Sequence, residues 1–323
     1  MMDRRAFFAL LAAAGLAPGA LRAQSAWKLA TGYRAESFHG QNLSQFLQAL
    51  QASGLPTELH ANNSLVKLAD IAGAVKDGKI EMGEVIMTGL VKDIALAGAD
   101  SVPFVVRSYD DARRMWRYQR PLIEKQFAER GLTVLFAVPW PPQGLYSNKP
   151  ITRAADLRGA KMRTYNATTE RIAQLLGAKP VDVPMVQVGQ ALADGRIDCM
   201  ITSAVTGVEN QVWDHVKNFY EINAWFPKNL TFVNSAALAR LPAAQQQAVS
   251  KAAQAAEARG WAASEKAAAD SVEELRHRGM KVERSSSELL VDIKRLGERF
   301  SLEWIREVGP DANMIFIPYY AQQ

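Results

Sequence analysis

The chain has little of what covalent or metal chemistry needs. It carries one cysteine, Cys199, so no intrachain disulfide is possible. That residue sits in the apolar run RIDCMIT, where a thiol serves as a small buried hydrophobe rather than a nucleophile. The four histidines, His39, His60, His215 and His277, stand in unrelated contexts, and none is paired at the spacing of a zinc-binding helix. A Walker loop, a GxGxxG turn after a strand and a Gly-x-Ser-x-Gly elbow are all missing. The formal charge is +5, yet the charges are interspersed and form no long basic run, which argues against a nucleic-acid partner. Beyond the N-terminus no apolar run approaches the roughly eighteen residues of a membrane-spanning helix. These absences favour a binder over an enzyme and call for no cofactor.

What is present begins with MMDRRAFFALLAAAGLAPGALRAQS. A charged start, an apolar run of about fifteen residues and small residues before Ala23 make a secretory signal peptide. Residues 1–23 are therefore expected to be removed, with export to the periplasm. RRAFF loosely resembles a twin-arginine signal. Asp3, Arg4, Arg5 and Arg22 leave with the peptide, so the charge falls from +5 by 2 to +3.

The remaining chain alternates strand and helix. A strand over Trp27 to Gly32 precedes a helix with Leu43, Phe46, Leu47 and Leu50 on one stripe. A strand through TELHA, a helix from Ser64 to Val75 stopped at Gly78, and the strand KIEMGEVIM complete a parallel α/β unit. The unit recurs: AVKDGKIEMGEV at 74–85 parallels ALADGRIDCMIT at 191–202, with Asp77, Gly78 and Ile80 matching Asp194, Gly195 and Ile197. Two similarly built lobes follow. Between them an apolar strand (Leu132 to Val138) meets Pro139, Pro141 and Pro142, a first crossover, and NLTFVNSAALARL near 229–241 reads as the return. From Pro242 to about His277 a helix on the order of 50 Å is long enough to lie across both lobes. A final helix (Ser287 to Glu307) and the aromatic tail MIFIPYY end the chain. Lobe I is expected to hold residues 24–141 and 228–267, and lobe II residues 142–227 and 268–323.

One residue stands out. Arg163 lies at the carboxyl end of the strand KMRTY, where an α/β layer is normally apolar. Its guanidinium stays charged at physiological pH. Ligands of open α/β sheets sit beyond the carboxyl ends of the strands, and a planar fork of donors suits a carboxylate. Period-two geometry puts Lys161, Arg163 and Tyr165 on one side. Thr202 and Ser203 end a strand of the same lobe. The bland alternative is an internal salt bridge from Arg163 to Asp156 or Glu170.

The sequence resembles the DctP-type solute-binding proteins of tripartite ATP-independent periplasmic (TRAP) transporters over essentially the whole mature chain. The likeness is strongest in SNKPI, DLRGAKMRTYNATTERIAQLLGAKPVDVP and QALADGRID, with NSAALARLP and DSVPFVV next. It implies a two-lobed, type II-like α/β periplasmic binding fold, with lobes joined by crossover strands and a long helix spanning both. It also implies that Arg163 salt-bridges the substrate carboxylate, and that the partners are the small and large membrane permease subunits, usually sodium-driven. A monomer is expected. Two departures matter. Sialic-acid-binding relatives carry a second arginine where this chain has Gln143, and many members continue D-G-x-E where this chain reads DCMITSAVTG. One fixed cation points to a monocarboxylate, because a second anionic group would lack a partner.

Tyr33, Phe38, Trp140, Tyr165, Trp225 and Phe226 fall at strand ends or crossovers, where they would wall a cleft for an aromatic, 2-oxo or 2-hydroxy acid. Glu84, Asn63 or Ser64, and His39 are candidates for the far end of the substrate. A C4-dicarboxylate or sugar acid is the alternative ligand, reached if Lys161 or Arg34 supplies a second cation. A periplasmic enzyme on the same scaffold, using Glu84 with His39, is the alternative class.

Overall fold

The computed structural model describes residues 25–322, so the expected signal peptide and its cleavage point lie outside the described residues. The first strand, β1 (Trp27–Thr31), leads to α1 (Phe38–Ala52), whose N-terminus is capped by Ser37 accepting from the Gly40 N–H. Leu43, Phe46, Leu47 and Leu50 are buried along one stripe of α1, as their spacing predicts. After β2 (Thr57–His60) the helix expected from Ser64 begins later. Asn62 and Asn63 both adopt left-handed backbone, and Asn63 Oδ1 accepts the Leu68 N–H at 2.8 Å. Local side-chain bonding of this kind builds a turn in place of a helix start. Hence α2 spans only Ile71–Lys76, before β3 (Met82–Ile86). The long helix α3 (Tyr109–Ala128) was not among the expected elements; Pro121 interrupts its pattern and its buried stripe is thin.

The strand β4 (Leu132–Pro139) ends at the proline cluster, and β5 (Gln143–Ser147) opens the second lobe. There follow β6 (Lys161–Thr164), α4 (Ala167–Leu175), β7 (Lys179–Asp182), α5 (Val188–Ala193), β8 (Cys199–Ser203), α6 (Ala204–Glu209) and β9 (Asn218–Tyr220). The chain then returns through β10 (Lys228–Asn234) and α7 (Ser235–Ala239). It closes with α8 (Ala243–His277), β11 (Lys281–Glu283), α9 (Ser287–Val308) and α10 (Asp311–Ala321).

Two sheets result. The first has the order β2-β1-β3-β10-β4 and the second β11-β9-β5-β8-β6-β7. In each the returning or entering crossover strand (β10, β5) runs antiparallel between its neighbours. The α/β fold with two lobes is thus the one the repeat and the crossovers predict.

The repeated segment builds the same turn twice. Gly78 and Gly195 both take left-handed backbone, φ 70° and 62°, which only glycine adopts without strain. Ile80 and Ile197 then enter the core. The acidic residue that follows does matching work in each lobe. Glu81 Oε2 accepts the Lys28 N–H at the start of β1 (2.8 Å), and Asp198 Oδ2 accepts the Lys161 N–H at the start of β6 (2.9 Å).

At 35 residues and 1.5 Å per residue, α8 is about 52 Å long. Its first half packs on α1 and β4, and its second half on α6 and β11. Gly260 allows the closest approach: a Cβ there would stand 2.4 Å from Val138 and 2.8 Å from Asn42. The neighbouring Trp261 donates from Nε1 to the Ala137 carbonyl at 3.0 Å. The aromatic tail is not an extended end but the helix α10. Its Tyr319 hydroxyl donates to the Val105 carbonyl (2.7 Å), and Arg114 on α3 covers the Tyr319 ring. This helix packs on α3, with a smaller contact to α9. No helix among the described residues is long and apolar enough to cross a membrane.

Candidate functional site

A hollow of about 320 Å³, counting its mouth, lies between the sheets where the crossovers pass. The first lobe contributes Tyr33 and Ile86, and the crossovers contribute Trp140 and Pro227. The second lobe supplies Gln143, Arg163, Tyr165, Met185, Thr202, Ser203 and Thr206. Arg163, Tyr165, Gln143, Trp140, Thr202, Ser203 and Tyr33 are therefore brought together as their positions predict.

Arg163 reaches the hollow from β6 and is 4% exposed. Its Nε donates to the Val183 carbonyl at 2.9 Å, and its guanidinium stacks 4.7 Å over the Tyr165 ring. The internal salt bridge does not form. Asp156 instead accepts the Thr152 and Arg153 backbone N–H groups, and Glu170 faces Gln174 along α4. Among the described residues Arg163 pairs with no carboxylate, and its two terminal nitrogens donate to no protein atom. Burial lowers its pKa to about 10, partly offset by Tyr165, Tyr33 and Asp182, so it remains a cation at neutral pH. An unpaired buried charge is costly, and the cost is recovered only when an anion arrives.

The other candidate cations turn away. Lys161 Nζ bonds the Gly195 carbonyl and lies 3.8 Å from Asp198 on the outer side of the sheet. Arg34 donates across the lobes to the Glu209 carbonyl. Arg163 is thus the one cation lining the hollow among the described residues.

Around it the walls are fixed by hydrogen bonds. Trp140 Nε1 donates to Asn229 Oδ1 (2.8 Å), and Tyr33 packs edge-on to Trp140 at 5.1 Å. Burial pushes the Tyr165 hydroxyl up to about 12, and burial with Glu84 also raises Tyr33 well above the ordinary tyrosine range, so both are neutral donors. The Thr202 hydroxyl donates to Thr206 Oγ1 at 3.0 Å, and Ser203 caps α6. Gln143 Nε2 donates to the Pro141 carbonyl at 2.7 Å.

Five residues expected at the site do not line the hollow. Trp225 backs Tyr165, its indole facing the Tyr165 hydroxyl. Phe38 packs edge-on against Trp140 at 5.5 Å. Glu84 is buried behind Tyr33, accepting from the Thr31 hydroxyl (2.7 Å) with His39 Nδ1 at 3.3 Å. Asn63 is spent on its turn, as described, and Phe226 packs on Tyr109. Strand-end position alone does not tell a wall residue from the one that supports it.

Ile86, Met185, Thr206 and Pro227 line the hollow without having been singled out. Two of them left a trace. Thr206 follows Thr202 by four residues, and Ile86 occupies in the first repeat the place of Ser203 in the second. At the rim a second bond crosses the lobes, from Asn166 Nδ2 to the Thr88 hydroxyl at 2.6 Å.

Comparison with known proteins places this geometry. Residues 34–299 match the sequence model described as DctP, bacterial extracellular solute-binding protein family 7. DctP6 of Bordetella pertussis, an extracytoplasmic solute receptor binding pyroglutamic acid, superposes with a TM-score of 0.90 at 35% identity, covering 92% of this chain and 100% of its own. A TRAP solute-binding protein from an unidentified marine metagenome microbe, specific for pyroglutamate, gives 0.89 at 33% identity, over 91% of this chain and 98% of its own. A solute-binding protein of Albidiferax ferrireducens is 22% identical over 169 residues, 51% of this chain; the match spans only about half of that relative, 49%.

Proposed function

The chain belongs to the DctP family of bacterial extracellular solute-binding proteins, and on that footing we propose that it captures a compact monocarboxylate in the periplasm. Pyroglutamate is the first candidate. Delivery to the two membrane subunits of a TRAP permease would follow.

The observation that carries this reading is the Arg163 guanidinium, buried, charged and without a protein counter-ion. A carboxylate accepting its two terminal N–H ends would replace the lost hydration with two parallel charge-assisted bonds. With no second cation in the wall, a dicarboxylate leaves one anion unpaired. Two relatives above 30% identity bind pyroglutamate, a five-membered ring with a single carboxylate. The aromatic walls, Tyr33, Trp140 and Tyr165, suit the flat face of such a ring. They also keep small aromatic and 2-hydroxy acids as the second reading, with the tightness of the hollow favouring the smaller ring.

Binding proceeds by closure. The acid docks on Arg163 in the open second lobe. The first lobe then swings in on the two crossovers, carrying Tyr33 and Ile86 onto the ligand and strengthening the ion pair as water leaves. The bonds from Asn166 to Thr88 and from Arg34 to Glu209 hold the rim shut. The rival enzyme reading loses ground here. Glu84 and His39 do meet, but behind Tyr33, where a substrate has no access to them.

Thermal shift against aliphatic and aromatic monocarboxylates, dicarboxylates and sugar acids tests the class, followed by calorimetry on the hits. Ligand at a hundred times its Kd adds about 2.7 kcal/mol. Arg163→Ala is expected to weaken binding by about 2 to 5 kcal/mol. An affinity within threefold of wild type would remove Arg163 from the site.

A further inference from the structure

Gln143 is buried in the wall of the hollow, 3% exposed, and its side-chain orientation is fixed by chemistry. The amide faces the Pro141 carbonyl at 2.7 Å. A carbonyl oxygen only accepts, so the group turned toward it must be the NH₂, and Oε1 is turned away. The partner is rigid. Pro141 lies in a run of prolines whose φ angles are locked, so its carbonyl cannot easily swing aside to let the amide flip. The Gln143 backbone is pinned as well: its N–H donates to the Trp225 carbonyl (3.1 Å) and its carbonyl accepts the Ala224 N–H (2.9 Å). Among the described residues no protein group donates to Gln143 Oε1.

The hollow therefore offers two kinds of polar demand. The guanidinium of Arg163 asks for an acceptor, and Gln143 Oε1 asks for a donor. We infer that Gln143 is the specificity residue that reads a hydrogen-bond donor on the bound acid, an N–H or O–H near its carboxylate. An acid with an oxygen or fluorine in that place puts a lone pair against Oε1, leaving a buried acceptor unsatisfied and repelled. A lactam acid or a 2-hydroxy acid is then favoured over its donor-free isostere. This rests on the monocarboxylate reading above and narrows it; 2-oxo acids drop from the expected ligands.

Calorimetry on two isosteric pairs tests it: pyroglutamate against the lactone 5-oxotetrahydrofuran-2-carboxylate, and lactate against 2-fluoropropanoate. The pairs keep ring or chain size and the carboxylate, and change the donor. Wild type is expected to prefer at least one donor-bearing member by about 10- to 100-fold, the penalty of an unpaired buried acceptor. Gln143→Met, similar in length but without the amide, should bring that ratio within threefold while keeping or improving the affinity for the donor-free member. A merely structural role would weaken both members alike and leave the ratio unchanged. Tight binding of any of the acids with ratios within threefold in wild type overturns this inference alone. If none of the four acids binds, and no other monocarboxylate does, the proposed function falls and takes the inference with it.

Discussion

In the first lobe, Thr31 at the end of β1, Glu84 in β3 and His39 from the start of α1 face one another. In the second lobe, Arg163, one residue before the end of β6, and Ser203, the last of β8, line the hollow, and Arg163 spends only Nε on the protein. Both lobes carry the same repeated turn at the amino ends of β3 and β8, down to the carboxylate that accepts an N–H at the start of the neighbouring strand. What differs is the charged group: Glu84 accepts from Thr31 and lies 3.3 Å from His39 Nδ1, although the buried His39 ring nitrogens form no hydrogen bond, whereas Arg163 meets no carboxylate among the described residues. The partnered charge supports a wall, and the unpartnered one waits for a ligand. Burial and charge alone do not separate the two cases, since Glu84 is as buried as Arg163.

The sharpest way to break the comparison is to empty each end in turn. Arg163→Met removes a charge that is uncompensated in the empty protein. It should abolish measurable binding, about 2 to 5 kcal/mol, while leaving ligand-free stability unchanged or higher. Glu84→Ala should do the reverse. The Thr31 hydroxyl loses its acceptor and His39 the nearby carboxylate, for a cost of about 1 to 3 kcal/mol in stability, with affinity changed far less. Denaturant unfolding beside calorimetry on both variants reads the two axes. Equal loss of binding in Glu84→Ala would move that residue from support to contact.

A smaller test asks whether the two turns are equivalent. Gly78→Ala and Gly195→Ala each place a Cβ on left-handed backbone, and neither meets a close neighbour, so strain is the main term. Each should cost about 1 kcal/mol, the two agreeing closely, with ligand affinity untouched. Unequal costs would show that the repeat is a likeness of letters rather than of structure.

Much of this was legible in the sequence, and the reasons are physical. The spacing of Leu43, Phe46, Leu47 and Leu50 fixes a face, the Asp-Gly steps fix two turns, and the prolines from 139 to 142 fix a crossover. Arg163 could be found because a guanidinium in an apolar strand has few structural excuses. The misses share another origin. Asn63 was legible as polar and near a strand end, but its own backbone claims it. Trp225 and Phe38 read like Trp140, because no local pattern distinguishes an aromatic in the wall from one pressed against its back. The helix α3 was missed since Pro121 and a polar composition mask its stripe, and α10 because apolar residues occupy both its faces.

The smallest expected effect concerns the rim. Glu209, at the end of α6, lies against the Arg34 and Glu36 turn of the other lobe. Burial raises its carboxyl from 4.5 to about 7, with Arg34 pulling it down and Glu36 pushing it up. The folded, closed protein thus holds a proton on Glu209 between about 4.5 and 7 that the unfolded chain has released. Its contribution to stability is fully present below the lower value and is lost as pH rises through the upper one. A melting temperature followed from pH 5 to pH 8 should therefore carry a downward component that Glu209→Gln removes, because the amide stays neutral throughout. The same component should appear in ligand affinity only if opening of the lobes exposes Glu209 to water, as the crossing bond from Arg34 implies. An identical pH profile in the variant would assign the slope to other groups and leave the rim contact without a role in closure.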